Sequence, residues 1–351
     1  MHLMDDSLPL IVRNDRLLFP FALILGLLVV WRFFAQSPGS GVDRIPAATP
    51  DGAQAERPAR PDEPLHPLPP TPALAPEKVA LGRLLFNDVR LSADNSISCA
   101  SCHSLERGGV DGRPGSIGVG GAIGGINAPS VLNAAHNFRQ FWDGRAGTLE
   151  EQAGGPVINP IEMASTWPQV LDKLGADLAL RRTFERLYPD SLTPGNIRSA
   201  IADFERTLPR PARFDRWLRG DDAALTADEL AGYRLFKRHG CIACHQGVNV
   251  GGNLYQRFGV MANYFATKKA ITTADLGRYN VTGRDEDRHL FKVPSLRNVA
   301  RTAPYFHDAS AATLEEAVNV MGRYQLGIDL PPRDVALIVG FLRTLDSETP
   351  P

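Results

Sequence analysis

Cysteine is scarce in this sequence: four in 351 residues, too few to staple a secreted disulfide scaffold. An excess of charge of one sign is also missing. The 38 basic and 39 acidic side chains leave a formal net charge of -1, so electrostatics gives no reason to expect nucleic acid as a partner. Extended apolar runs are few. One uncharged run stands out, Leu17 to Trp31, bounded by Arg16 and Arg32. At about 1.5 Å per helical residue it falls short of a bilayer. Phe33, Phe34 and Ala35 lengthen it, and Arg32 can snorkel to the interface. The rival reading is a cleaved signal peptide, but Pro38 spoils the cleavage site after Ser37. The expectation is an uncleaved inner-membrane anchor over residues 1–36, with the rest of the protein in the periplasm.

Eleven of the 28 prolines fall between Ser37 and Pro76, in a stretch rich in alanine and poor in aromatics. Such a segment buries little apolar surface to offset chain entropy, so residues 37–76 read as an extended linker. The remaining chain, from residue 77 on, contains a repeat. Gly82-Arg-Leu-Leu-Phe86 is echoed by Gly232-Tyr-Arg-Leu-Phe236, and Phe204-Glu-Arg-Thr-Leu208 by Phe341-Leu-Arg-Thr-Leu345. The shared order points to duplication and to two domains, residues 77–215 and 216–351. Ile197, Ile201, Phe204 and Leu208 recur at helical spacing after Thr193-Pro194, as do Val335, Ile338, Phe341, Leu342 and Leu345 after Pro331-Pro332. Glycine-rich stretches such as Gly118 to Gly125 lie between. The fold class expected is mainly α: two cytochrome c-like domains with long ordered loops.

The four cysteines sit as Cys99-x-x-Cys102-His103 and Cys241-x-x-Cys244-His245, one set in each repeat, with none left over. A CxxC pair supports a zinc site, a thioredoxin-like redox pair or haem attachment. Zinc would draw both pairs to one metal, yet the repeat separates them. A thioredoxin-like site wants a βαβ context that neither flank provides. CxxCH fits covalent haem c directly: two thiols add to the vinyl groups and the next residue turns its imidazole to the iron. Two covalently bound haem c groups are therefore expected.

The sixth iron position decides function, because methionine or histidine there makes a carrier and an open position allows chemistry. Met261 and Met321 are candidates for the second haem. Thr313 and Glu316 form a capping box ahead of Leu314, Ala317, Val318 and Met321 on one helical face, where periodicity alone favours a plain core role for Met321. The first repeat offers Met163 and His136, and a proline-braced loop, Gly155-Pro-Val-Ile-Asn-Pro-Ile-Glu162, that could hold a carboxylate. Spacing leaves these open.

These residues resemble the bacterial dihaem cytochrome c peroxidase family, whose relatives include the MauG-like enzymes. The resemblance covers nearly all of residues 77–346. It rests on Ser98-Cys-x-x-Cys-His103, Asn127-Ala-Pro-Ser-Val-Leu-Asn133, Phe141-Trp-Asp-Gly-Arg145, Gly155-Pro…Glu162-Met163, Val293-Pro-Ser-Leu-Arg-Asn298 and Pro304-Tyr-Phe-His-Asp308. It implies that His103 is proximal on a peroxidatic haem, and that His245 and Met321 are the ligands of an electron-transferring one. It also implies that Trp142 lies between the haems and that Glu162 stands over the peroxide site with Gln152 and Pro156. Asn127, Thr302 and Pro304 match the family's calcium site, a suitable hard-oxygen set.

The activity implied is reduction of hydrogen peroxide to water with electrons from a small donor, a cytochrome c or cupredoxin; a homodimer is compatible with this reading. One position departs from the pattern. Many members place an iron-blocking histidine shortly after Ser-x-Gly, and here Val119 follows Ser116-Ile-Gly118. Valine cannot ligate iron, so an open peroxidatic haem is expected even in the oxidised protein. MauG-like enzymes share the open site but carry a tyrosine where this chain has Met321. The rivals are thus a MauG-like oxidase acting on a protein substrate, and a non-enzymatic dihaem carrier.

Overall fold

The computed structural model describes residues 60–349. The apolar run at 17–31, and its reading as an anchor, lie outside them. Among the described residues no helix is long and apolar enough to cross a membrane.

The first repeat contains α1 (Pro76–Phe86), the one-turn α2 (Cys99–Cys102), α3 (Leu149–Ile158), α4 (Trp167–Gly175), α5 (Leu178–Leu187) and α6 (Pro194–Glu205). After α7 (Arg213–Leu218), the second contains α8 (Ala227–Arg238), β1 (Tyr255–Arg257), α9 (Tyr279–Thr282), β2 (Leu290–Lys292), α10 (Leu314–Val320) and α11 (Pro332–Arg343). The two short strands pair antiparallel, with Tyr255 opposite Lys292. The fold is mainly helical, and long loops carry the rest. Thr193 caps α6 and Thr313 caps α10 through side-chain oxygens, the latter in a full capping box, as the sequence implied.

The repeated motifs meet in space. A Cβ on Gly82 of α1 would lie 1.8 Å from the carbonyl oxygen of Ala200 on α6, and one on Gly232 of α8 would lie 1.9 Å from that of Leu337 on α11. Each GxxLF glycine therefore lets its helix cross the FxRTL helix in backbone contact, with Phe204 or Phe341 beside the crossing. Only a residue without a side chain fits there, which explains the shared spacing. Each crossing seeds a core: Leu85, Phe86, Phe184 and Ile197 around the first, and Tyr233, Phe236, Ile338 and Leu342 around the second.

Two boundaries differ from expectation. The division after residue 215 falls inside α7, where Phe214 packs edge-on to Tyr233 and Phe341 and so belongs to the second core. The proline-rich stretch from Arg60 onward is docked, not a free tether. Leu65 and Leu68 are buried, the Leu68 amide donates to Asp215 at 2.8 Å, and Glu63 accepts from Tyr233 and Lys237. Prolines limit what this strand can lose in entropy, so two leucines and a few polar contacts suffice to hold it. Asp215 also forms a bidentate ion pair with Arg297, at 2.8 and 2.9 Å, tying strap, α7 and the PSLRN segment together.

Candidate haem centres

Ser98 opens α2 in a capping box with Ser101, which sets Cys99 and Cys102 one turn apart and puts His103 at the helix end. The His103 Nδ1 lies 3.2 Å from the Gly109 carbonyl, and the His245 Nδ1 lies 3.3 Å from that of Val250. A ring whose Nδ1–H is held by a carbonyl presents Nε2 as the lone-pair donor, the arrangement of an oriented metal ligand. Burial lowers both imidazole pKa values, that of His245 to about 4, which keeps the ligating neutral form. Burial pushes the Cys99 thiol up to about 12 and Cys241 up to about 11. A zinc or thioredoxin-type thiolate would need the opposite shift. Gly251, at φ +125°, allows the Pro294 carbonyl to pass where a Cβ would stand 2.2 Å from it, 3.2 Å from the His245 ring.

Cys241, Cys244, His245 and Met321 all line one cavity of about 430 Å³, walled mainly by apolar side chains. Met321 starts a π-helical turn, Met321–Leu326, directly after α10, a feature that often marks a functional position. Met261 is 63% exposed and rests on Gly327 outside that lining. Of the two methionines, Met321 shares the space of His245. An apolar chamber holding two thiols, an imidazole and a thioether matches the donor chemistry of haem c.

In the first repeat, the Val119 amide donates to the Glu162 carbonyl at 2.8 Å. A Cβ on Gly118 would lie 2.3 Å from the Ile161 carbonyl, so the two loops touch through backbone. Glu162 Oε1 accepts from the Asn159 amide at 2.6 Å. Burial raises the Glu162 pKa against the lowering pull of Asn159 and the Arg145 guanidinium, and Cys102 feels the Glu162 charge. Gln152 and Pro156 share a face of α3 at i and i+4, and the Pro156 carbonyl accepts from Met163 and Asn159, seating the Glu162 loop on the helix end. Met163 itself is buried in the first core. His136 lies within reach of the charge of Arg297, in the second repeat, which with burial lowers its pKa.

Between the repeats, Trp142 Nε1 donates to the Asn127 carbonyl at 2.8 Å. The Asn127 amide donates to Arg113 and Pro304 carbonyls at 3.1 and 3.2 Å, and Thr302 and Pro304 line the same cavity as His245. Turning the amide over would aim its oxygen at a cation shared with these carbonyls, a donor set that fits calcium.

Sequence motifs alone assign no role to Asn159 or Arg145, although both lie within them. Nor do they single out Lys292 or a buried polar cluster, where His307 Nε2 meets Asp275 at 2.8 Å and Lys268 pairs with Asp275 and Asp308. For Lys292 the available signal is a lone charge between Phe291 and Val293.

A family model described as "Di-haem cytochrome c peroxidase" matches residues 76–223. The chain is 53% identical over 272 residues to "Cytochrome c peroxidase Ccp" of Escherichia coli (strain K12), covering 77% of this chain and 58% of that protein. It is 49% identical over 284 residues to "Cytochrome c551 peroxidase" of Nitrosomonas europaea, covering 79% and 83%. Among solved structures it resembles a MauG-like protein associated with microbial copper homeostasis, with a TM-score of 0.70 and 32% identity, covering 81% of this chain and 93% of the other.

Proposed function

The chain belongs to the di-haem cytochrome c peroxidase family, and on that premise we propose that it reduces hydrogen peroxide to water in the periplasm. The electrons come from a small redox protein, a cytochrome c or cupredoxin. The observation that carries this reading is the backbone pairing of Val119 with Glu162, which holds the Glu162 loop against a position without a ligating side chain, with the Glu162 charge felt at Cys102.

Cys99, Cys102 and His103 would hold the peroxidatic haem; Cys241, Cys244, His245 and Met321 would hold the electron-transferring one. When bound, the first haem would supply the chemistry of peroxide reduction and the second a one-electron relay. Glu162 takes a proton from the inner peroxide oxygen and returns it to the outer one, the oxygen that leaves as water. Burial raises its pKa, towards the range where one carboxyl both accepts and donates, while the Asn159 amide fixes its orientation. Gln152 and Pro156 shape the same side. Trp142, held by Asn127, would serve as the electron bridge between the two haem sites, and Asn127, Thr302 and Pro304 would hold calcium. The N-terminal apolar segment anchors the protein to the inner membrane.

Val119 also favours a second reading, oxidation of a protein substrate in the MauG manner. Met321 argues against it, because thioether ligation suits outer-sphere relay. The test is the oxidised spectrum followed by turnover. One high-spin and one low-spin haem, with peroxide consumed at the expense of reduced cytochrome c, is the expected result. Two low-spin haems overturn the open site, and peroxide-dependent modification of a protein without cytochrome oxidation selects the second reading.

A further inference from the structure

Lys292 ends β2 with 3% of its surface exposed. Its backbone amide donates to the Trp142 carbonyl at 2.8 Å, fixing the strand against the indole segment, and the residue lines the cavity shared by Cys241, Cys244, His245 and Met321. A half-buried lysine of the same repeat is satisfied: Lys268 has the carboxylates of Asp275 and Asp308. Arg297, on the same wall, has Asp215. Among the described residues the Lys292 amine has no hydrogen-bond or ion-pair partner, and burial alone acts on it, lowering the pKa to about 8.

Burying an ammonium without a partner is expensive enough that proteins pair such groups or exchange the site for an apolar one. An unpaired lysine in a cavity wall therefore points to an anion supplied by the occupant. Haem c brings two carboxylates, the propionates, at the edge opposite its thioether bonds. Among the described residues no acidic side chain competes for this amine.

We propose that Lys292 pairs with a propionate of the haem carried by Cys241 and Cys244, and by that charge holds the haem's potential up. The inference rests on the haem reading of this cavity. Reduction adds an electron, so a cation beside the propionate favours the reduced form. Lys292 is a positioning residue, reaching the iron only through the porphyrin.

The test compares wild-type holoprotein with Lys292→Arg and Lys292→Met. Haem content by pyridine haemochrome is read first, and fewer than two haems in the wild type sinks the underlying haem reading. With two haems in each protein, Lys292→Met lowers the midpoint potential of the methionine-ligated haem and shifts its propionate bending bands in resonance Raman. Lys292→Arg keeps both near wild type. Unchanged potential and bands in Lys292→Met overturn the proposal, as does a wild-type spectrum showing amine ligation to iron that Lys292→Met abolishes. Should Lys292→Met fail to hold the second haem, retention in Lys292→Arg supports the charge pairing. Equal failure of both variants assigns Lys292 to packing and overturns it.

Discussion

The indole of Trp142 hangs from the backbone carbonyl of Asn127 at 2.8 Å, and the side chain of the same asparagine reaches the Pro304 carbonyl at 3.2 Å. One residue thus orients the proposed electron bridge and contributes to the proposed calcium site. Removing the side-chain oxygen should cost the cation but not the indole's backbone contact. Asn127→Leu is expected to weaken calcium binding to chelator-treated holoprotein by about ten-fold or more, roughly 1.4 kcal/mol, measured by calorimetry. Trp142→Phe leaves the Asn127 side chain intact and should bind calcium within a few-fold of wild type. Equal affinity in Asn127→Leu and wild type removes Asn127 from the site.

Glu162→Gln keeps the shape and loses the proton carrier. Peroxide turnover should fall by about 10²- to 10⁴-fold, with both haems still attached and the oxidised spectrum unchanged. Asn159→Ala adds a sign test. The Asn159 hydrogen bond lowers the Glu162 pKa, so its loss raises that pKa further. The acid limb of the kcat profile should then move to higher pH. A limb that stays in place, or moves down, speaks against Glu162 as the titrating base.

Glu205 ends α6 with 3% exposure, and its Oε2 has no hydrogen-bond partner; the matching residue of the second repeat is Leu342. Burial pushes its carboxyl up to about 8 from the ordinary 4.5. The folded protein keeps this proton where the unfolded chain has released it, so stability falls as pH rises from about 4.5 to about 8. The limiting slope is ~1.4 kcal/mol per pH unit. Glu205→Gln should remove that slope, read as urea midpoints of variant and wild type across the window. Parallel curves would falsify the buried protonated carboxyl.

Arg297 and Asp215 are at most 1% exposed at their side chains, and Asp215 also accepts the amides of Leu68 and Ala212. Arg297→Met strands a buried carboxylate and should cost about 3–5 kcal/mol of unfolding free energy. Adding Asp215→Asn to that variant should restore part of the loss, because the remaining group is neutral. A double variant no better than the single one would show that the charge is not what matters.

Some of this molecule is set by local sequence alone. The CxxCH triplets carry their chemistry within five residues, and the helices beginning at Thr193 and Thr313 announce themselves through caps and apolar spacing, because both signals act within a turn or two of chain. The duplication was legible for the same reason, as one glycine and one phenylalanine per repeat. Other features are relations between distant residues. That Met321 and not Met261 shares the cavity of His245 depends on how α10 and its π-helical turn lie over the second core. That residues 60–68 form a docked strap depends on Asp215, Trp217 and Tyr233, far along the chain, offering partners that a proline-rich composition cannot foresee. The unpaired state of Lys292 is a property of the whole cavity wall. Local pattern determined what each segment can be; long-range packing decided which carboxylates, amines and sulfurs face one another, since burial and distance exist only once the two repeats have folded together.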